Sequence, residues 1–515
     1  MTASQPNVLL ITLDQWRADC LSAVGHPCLR TPNLDRLAAD CVLFRKHYTQ
    51  ASPCGPARAS LLTGLYAHNH RSVRNGVPLD DRHTNLAREA RKAGYDPILF
   101  GYTETAVDPR LHAPDDPALA TYEGVLPGFR PGVVLSMQLG PWLADLARKG
   151  YAIPAKPKDI WLPRDTGAVG PGPTFAPARY GAEDSETRFL TDAALTHLAD
   201  CPEGWFLHLA YLRPHPPFIA PEPYNAMYDP GDIPPFRRAA NPTREGAQHP
   251  WLAYHLAKIH AAPLPEQEQP LLGSLDDRAL RQLRATYYGM ISQVDDELGR
   301  LFAALRASGA YDNTLIIVTA DHGEQLGDHW MVGKDGYFDA AFHIPLLLRD
   351  PRAPKAVRGL AVEAFTEAVD VMPTVLEFLD LAVPPQLDGR SLARFLAGTI
   401  PADWRREVHW EYDFRDLRGL GPETALGLDS EQCSLAVIRD ERYKYVHFAG
   451  LPPLFFDLAA DADELTDRAR DPAYLPLVLA YAQKLLSWRM NHDDRTLSHL
   501  HLGPGGMFSR LPAKY

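Results

Sequence analysis

Unbroken apolar runs alternate with helical periodicities over most of the chain. Residues 7–13 (NVLLITL) and 313–320 (NTLIIVTA) are apolar stretches, each followed at once by an aspartate, Asp14 and Asp321. Runs without polar alternation predict strands buried on both faces of a parallel sheet. Residues 97–102, 205–212 and 345–349 read as further strands. Between them, residues 276–308 place Leu280, Leu283, Tyr287, Ile291, Val294, Leu298, Leu301 and Leu305 at helical spacing. Such alternation predicts an α/β fold. In open α/β sheets ligands gather beyond the carboxyl ends of strands, so Asp14 and Asp321 can meet although far apart in sequence.

The pattern changes after residue 389. REVHWEYDF, CSLAVIRD, RYKYVHFAG and PLFFDLAAD read as short strands in succession, followed by a helix over 475–490. This predicts a smaller α+β module built on an antiparallel sheet, dividing the chain into a larger domain, 1–388, and a C-terminal one with a tail, 389–515. Residues 105–182 are rich in Pro and Gly and contain one helix candidate, 142–149. They read as loops around a site or an interface.

One stretch, TQASPCGPARASLLTGLYAHNH (residues 49–70), raises a chemical question. Pro56 suits the first turn of a helix and Gly64 is a natural stop, so Cys54 falls just before a helix N-terminus. Backbone N–H groups and the helix dipole favour negative charge there, such as a sulfate or phosphate. Thiol phosphatases hold five residues between the cysteine and the arginine. Here three separate Cys54 from Arg58, which argues against a thiolate nucleophile.

Composition narrows the classes. A chain of 515 residues exceeds one ordinary core, and 45% apolar with 23% charged residues fits a globular protein. A net charge of −12 disfavours a general nucleic-acid binder, which needs dense Lys and Arg, but says little about a small anionic substrate. The first residues carry no basic region and the run at 8–13 is too short for a leader or membrane segment, so a cytoplasmic protein without membrane contact is expected. Six cysteines with no CxxC pair make neither a disulfide framework nor a zinc ribbon.

Cys54-Gly55-Pro56-Ala57-Arg58 is a C-x-P-x-R core with SLLTG following. DQWRAD, TPNLDRLAADCVLF, YYGMISQVDDELGRL, TADHGEQLGDH, KDGYFD and PLFFDLAADADELTD accompany it in order. With this ordered set the chain resembles type I sulfatases of the alkaline phosphatase superfamily, in the branch of phosphonate monoester hydrolases and related arylsulfatases. The resemblance implies a large mixed sheet sandwiched by helices beside the smaller C-terminal module. It also implies that a separate formylglycine-generating enzyme oxidises Cys54 to formylglycine, the working nucleophile.

Carried over by position, Asp14, Gln15, Cys54, Asp321 and His322 match the ligands of one divalent metal ion. Oxygen donors with one imidazole suit Mn²⁺, Ca²⁺ or Mg²⁺; Gln15 stands where many sulfatases have a second Asp, and the resemblance to the phosphonate hydrolase branch, which shares the Asp-Gln and Asp-His pattern, implies Mn²⁺ before Ca²⁺. Arg58 is expected to hold the formylglycine oxygen or the substrate anion. Asn75 matches a contact to non-bridging oxygens, and His215 with Lys334 a pair acting on the leaving-group oxygen. Many sulfatases place a lysine near residue 102. Here Tyr102 and Thr103 are expected to offer hydroxyls instead, with Glu104 near a position where the branch has Thr. His329 reads as supporting or structural.

The implied activity is hydrolysis of sulfate esters and phosphonate monoesters, with promiscuity toward phosphate diesters. The alternatives are a strict phosphodiesterase or phosphonate monoester hydrolase and an inactive sulfatase-fold binding protein. The tail HLHLGPGGMFSRLPAKY reads as a subunit-contact arm of a homodimer or homotetramer.

Overall fold

Among the described residues, nine strands precede residue 389: β1 (Asn7–Leu13), β2 (Val42–Tyr48), β3 (Ala51–Ser52), β4 (Ile98–Gly101), β5 (Arg130–Val134), β6 (Phe206–Tyr211), β7 (Thr314–Ala320), β8 (His343–Arg349) and β9 (Ala361–Glu367). The computed structural model describes residues 5–164, 174–261 and 276–509. All these strands except β3 form one mixed sheet in the order β5-β4-β6-β1-β7-β8-β2-β9, in which β8 runs against its neighbours. Central β1 pairs in parallel with β6 and β7, setting Leu10 opposite both His208 and Ile317. Every residue of β1, β6 and β7 is buried, as their continuous apolar runs require.

The helix Asp277–Ala307 matches its predicted span, capped by the Asp276 carboxylate, which accepts from Ala279 N at 2.8 Å. All eight residues of its periodic stripe are buried. The same face carries a polar anchor. Tyr287 donates from its hydroxyl to Gln15 O at 2.7 Å, tying this helix to the turn after β1.

Four predicted C-terminal strands are present as β10 (Glu407–Asp413), β11 (Ser434–Asp440), β12 (Tyr443–Phe448) and β13 (Leu454–Asp457), in a meander order β13-β12-β11-β10-β3. Its last member, β3, is a two-residue strand directly ahead of Pro53 and Cys54, with Ala51 opposite Glu411 and Ser52 opposite Tyr412. The second sheet is thus fastened to the segment that delivers the cysteine. A hairpin, β14 (Leu500–Gly503) and β15 (Gly506–Ser509), follows the helix Leu475–Asn491.

Some strands carry no pattern that periodicity detects. The expected loop region 105–182 contains β5, whose RPGVV sequence includes a proline and a glycine; residues 165–173 of that region lie outside the described residues. β5 is an edge strand, where a missing ladder donor is tolerated. Its neighbour β4 ends at Gly101, with φ +106° and a Cα so close to the β6 backbone that a Cβ would stand 2.0 Å from Ala210 O. Only glycine allows β4 to turn there into the loop carrying Tyr102 and Glu104. Gly101→Ala is expected to destabilise the fold by about 2–4 kcal/mol and to lower the thermal unfolding midpoint; an unchanged midpoint would contradict this account of the turn.

Candidate active site

The carboxyl ends of the central strands converge. Asp14 follows β1 and continues its ladder, donating from its N–H to Tyr211 O at 3.1 Å, while Asp321 and His322 follow β7. Both carboxylates and the imidazole are buried. Cys54 joins them, and ligand atoms of Asp14, Cys54, Asp321 and His322 all lie within 4.8 Å of one another.

Cys54 is the first residue of the helix Cys54–Thr63 rather than the residue before it, with Pro53 as N-cap. Gly64, at φ +67°, ends that helix as its sequence predicts. All ten of its residues are buried, so the cysteine sits inside the molecule. Its Sγ lies 3.2 Å from His322 Nε2 and 3.2 Å from Lys334 Nζ. Burial, then the negative charge of Asp14, pushes the thiol well above its ordinary range. The sulfur therefore stays protonated at neutral pH, the reverse of what a thiolate nucleophile needs.

Arg58 lies one turn along the same helix and does not face an open site. It donates from Nη2 to Asp14 Oδ2 and from Nε to Asp321 Oδ2, both at 2.9 Å, and from Nη1 to Tyr102 O at 2.6 Å. Its guanidinium also stacks over the Tyr102 ring at 4.1 Å. In this structure Arg58 clamps two carboxylates that would otherwise repel at close range. Burial and then Asp321 raise the Asp14 carboxyl above its ordinary value. Burial acts the same way on Asp321, but His322, Arg58 and the Gln15 N–H outweigh it and hold that carboxyl below the usual range.

These residues suit a hard divalent cation. Two carboxylates and an imidazole share a buried cage, and His322 pairs Nδ1 with Gly323 O at 3.0 Å, which leaves Nε2 facing Cys54 as a lone-pair donor. Burial pushes His322 down to about 4, so the ring is neutral, as ligation requires. Gln15 lies at the edge of the cage. Its amide oxygen accepts from Lys334 Nζ at 2.8 Å and its Nε2 donates to Glu324. In this arrangement the amide oxygen expected to ligate is engaged by the lysine.

The remaining predicted residues divide. Lys334 is in the cluster: burial opposes its charge, but Cys54, Asp14 and Asp321 outweigh that and hold it protonated. Its position is fixed by Ser52 Oγ, from the residue that ends β3, donating to Lys334 O at 2.8 Å. His215 follows β6 in a loop held by Arg213, which donates to His215 O and Pro217 O at 2.9 and 2.7 Å. Burial and then Lys334 push His215 well below its ordinary value, and its Nδ1 pairs with Pro216 O at 2.6 Å. The neutral ring thus points a lone pair, not a proton, from Nε2, so the resting state does not show it as an acid.

Asn75 accepts from Gly55 N at 2.8 Å and donates to Glu104 Oε1 at 3.1 Å. Tyr102 directs its hydroxyl to Asp14. Thr103 is engaged within the protein. Its Oγ1 donates to Gly124 O at 2.9 Å and accepts from Leu126 N at 2.7 Å, so it fastens two loops. His329 pairs with Glu245 at 2.7 Å and stacks on Phe338, a structural role outside the cage.

Sequence reasoning missed Glu324, buried two residues after His322, whose Oε1 accepts from Leu326 N at 3.0 Å while Oε2 holds Gln15. Its signal was its place in TADHGEQLGDH, without any periodic or spacing rule to give it a role.

The family model described as sulfatase matches residues 6–381, and a second, for the C-terminal region of N-sulphoglucosamine sulphohydrolase, matches residues 327–491. The multifunctional alkaline phosphatase superfamily protein PehA of Trinickia caryophylli is 48% identical over 98% of this chain and 99% of its own. Among solved structures, the phosphonate monoester hydrolase of Agrobacterium radiobacter superposes with a TM-score of 0.94 at 49% identity, covering 99% of this chain and 100% of that one. The enzyme of the same description from Silicibacter pomeroyi gives 0.92 at 41% identity, with 99% and 100% covered. An arylsulfatase of Clostridium perfringens is 27% identical over 94% of each chain.

Removing Asp321 leaves Arg58 without one of its two anions and the cage without a ligand. Asp321→Ala should therefore bind no Mn²⁺ by elemental analysis after dialysis and should lose about 3–5 kcal/mol of stability. Full metal content in that variant would refute the cage.

Proposed function

The chain belongs to the sulfatase family of the alkaline phosphatase superfamily, and from that premise we propose that it hydrolyses sulfate esters and phosphonate monoesters, with phosphate diesters as further substrates. The observation that carries this reading is the buried cage of Asp14, Cys54, Asp321 and His322 with Lys334 against the sulfur. A cysteine held protonated in such a cage is a poor nucleophile and a suitable precursor. Converted to formylglycine by a separate maturation enzyme, position 54 supplies a geminal diol, one oxygen of which attacks while the other permits release of the product. Asp14, Asp321 and His322, with the oxygen of position 54, would hold one divalent ion, Mn²⁺ before Ca²⁺, which activates a hydroxyl and offsets the charge of the ester.

The chain's own residues supply the rest. Arg58 keeps the two carboxylates at their spacing, and Tyr102 fixes Asp14. Lys334, held charged, lies against position 54, and its proposed role is to offset negative charge that develops on the ester, the leaving oxygen included, as the bond breaks. Burial and then Lys334 keep His215 neutral at rest.

Two expectations about the setting remain proposals. Six free cysteines, and no helix among the described residues long and apolar enough to cross a membrane, support a reducing cytoplasmic location. Leu502, Met507 and Phe508 of the terminal hairpin and Leu479, Leu486 and Met490 of the helix before it are exposed. A two-stranded hairpin is marginal alone in water, which supports its docking on a second copy of this chain in a homo-oligomer.

One preparation tests the chemistry. The peptide containing position 54 should carry an aldehyde in place of the thiol, and turnover of an aryl sulfate, a phenylphosphonate monoester and a phosphate diester should scale with the converted fraction. Thiol-alkylating reagents should leave that turnover intact. Full activity from a sample whose position 54 is entirely cysteine would overturn the mechanism. A second expectation concerns Lys334→Ala, which should steepen the dependence of log kcat on leaving-group pKa and slow esters of poor leaving groups by about a hundredfold or more. An unchanged slope would reduce Lys334 to a binding or structural role.

A further inference from the structure

Glu324 is buried two residues beyond His322, and its carboxyl group takes hydrogen bonds from three separate segments. Oε1 accepts from the N–H of Leu326 at 3.0 Å and from that of Gly333, the residue before Lys334, while Oε2 accepts from Gln15 Nε2. One side chain thus joins the turn after β7, the loop that carries the lysine and the turn after β1.

Its own backbone is pinned. The Glu324 N–H donates to Ala340 O at 3.0 Å, and Arg17 Nη1 donates to Glu324 O and Gln325 O at 3.3 and 3.1 Å. Gln325 N donates to Gly333 O at 2.8 Å, so Gly333 is held at its carbonyl by backbone and at its N–H by the Glu324 carboxyl. On the next residue, Lys334 O accepts from Ser52 Oγ at 2.8 Å.

The polarity of the Gln15 amide follows from its two neighbours. An ammonium has donors only, so the amide atom 2.8 Å from Lys334 Nζ is the oxygen. That turns the amide NH₂ to Glu324, where a carboxyl oxygen accepts it. Gln15 has no freedom to choose another place. It is buried at φ +68°, a left-handed backbone uncommon outside glycine, with its N–H on Asp321 Oδ1 at 3.0 Å and its carbonyl accepting from Tyr287. A relay of fixed polarity therefore runs from Glu324 through Gln15 to Lys334 Nζ, which lies 3.2 Å from Cys54 Sγ.

Building on the hydrolase reading above, we propose that Glu324 is a positioning residue for Lys334. It holds Nζ against position 54 by fixing the polarity of the Gln15 amide and by anchoring the N–H of Gly333. It serves as an acceptor and does not touch the substrate.

Exchanging carboxyl and amide between positions 324 and 15 tests this in the mature enzyme at saturating Mn²⁺, with a series of aryl phenylphosphonate monoesters as probes. In Glu324→Gln the two backbone N–H groups claim the new amide oxygen, which sets an NH₂ against that of Gln15. Gln15 must then turn its own NH₂ toward the ammonium, and Nζ is displaced. Esters of poor leaving groups should slow about tenfold or more, good ones within about threefold, so the dependence of log kcat on leaving-group pKa steepens. The double variant Gln15→Glu with Glu324→Gln again sets an oxygen against the NH₂ and an oxygen against the ammonium, and should return that slope to the parent's. In metal-free protein, each single variant should lower the thermal midpoint and the double variant should recover most of the loss. A carboxyl that only stabilises its turn would not be rescued from position 15. A parental slope in Glu324→Gln, or a double variant whose losses equal the sum of the two singles, would overturn this assignment alone. The midpoints need no turnover. A parent enzyme with position 54 converted that hydrolyses none of the esters would instead overturn the hydrolase reading.

Discussion

Arg58 bridges Asp14 and Asp321, and the site depends on that bridge. Two fully buried carboxylates at the ends of adjacent strands repel in a medium that screens poorly. One guanidinium with its fork of donors fixes both at 2.9 Å and takes up part of their charge. The arginine does this from one turn along the helix that begins at Cys54, so one short helix delivers both the reactive position and the clamp.

Other elements hold that helix and the strand ends in place. β3 joins the edge of the small sheet immediately ahead of Cys54, and Ser52 reaches across to the backbone of Lys334. Tyr287, on the long helix, holds the turn after β1 from behind. The second sheet is therefore part of the framework of the site, although most of it comes from residues far downstream. The second apolar cluster has the same mixed parentage, joining Tyr48, Trp251, Met331 and Phe342 to Trp410, Val437 and Phe456.

Around the cage the electrostatics are asymmetric. Lys334 stays charged against burial, His215 and His322 are kept neutral by it, and the Cys54 thiol is kept protonated by it. Glu104 adds a carboxyl that burial pushes up to about 8.

Much was legible in the sequence because it was local. Continuous apolar runs located β1 and β7 with their terminal aspartates, the stripe from Leu280 to Leu305 gave the long helix, and the spacing of Cys54, Pro56 and Arg58 gave the motif. What the side chains touch was not local. Arg58 turned out to face two carboxylates 44 and 263 residues away, Tyr102 to face Asp14, and Thr103 to fasten a loop. Edge strand β5 and two-residue β3 have no periodicity to read, because a pairing partner, not a pattern, makes them strands. The sequence by itself determined which residue types and which strand ends carry the chemistry. Tertiary structure alone decided their protonation and partners, because both depend on burial and on charges brought together from distant segments.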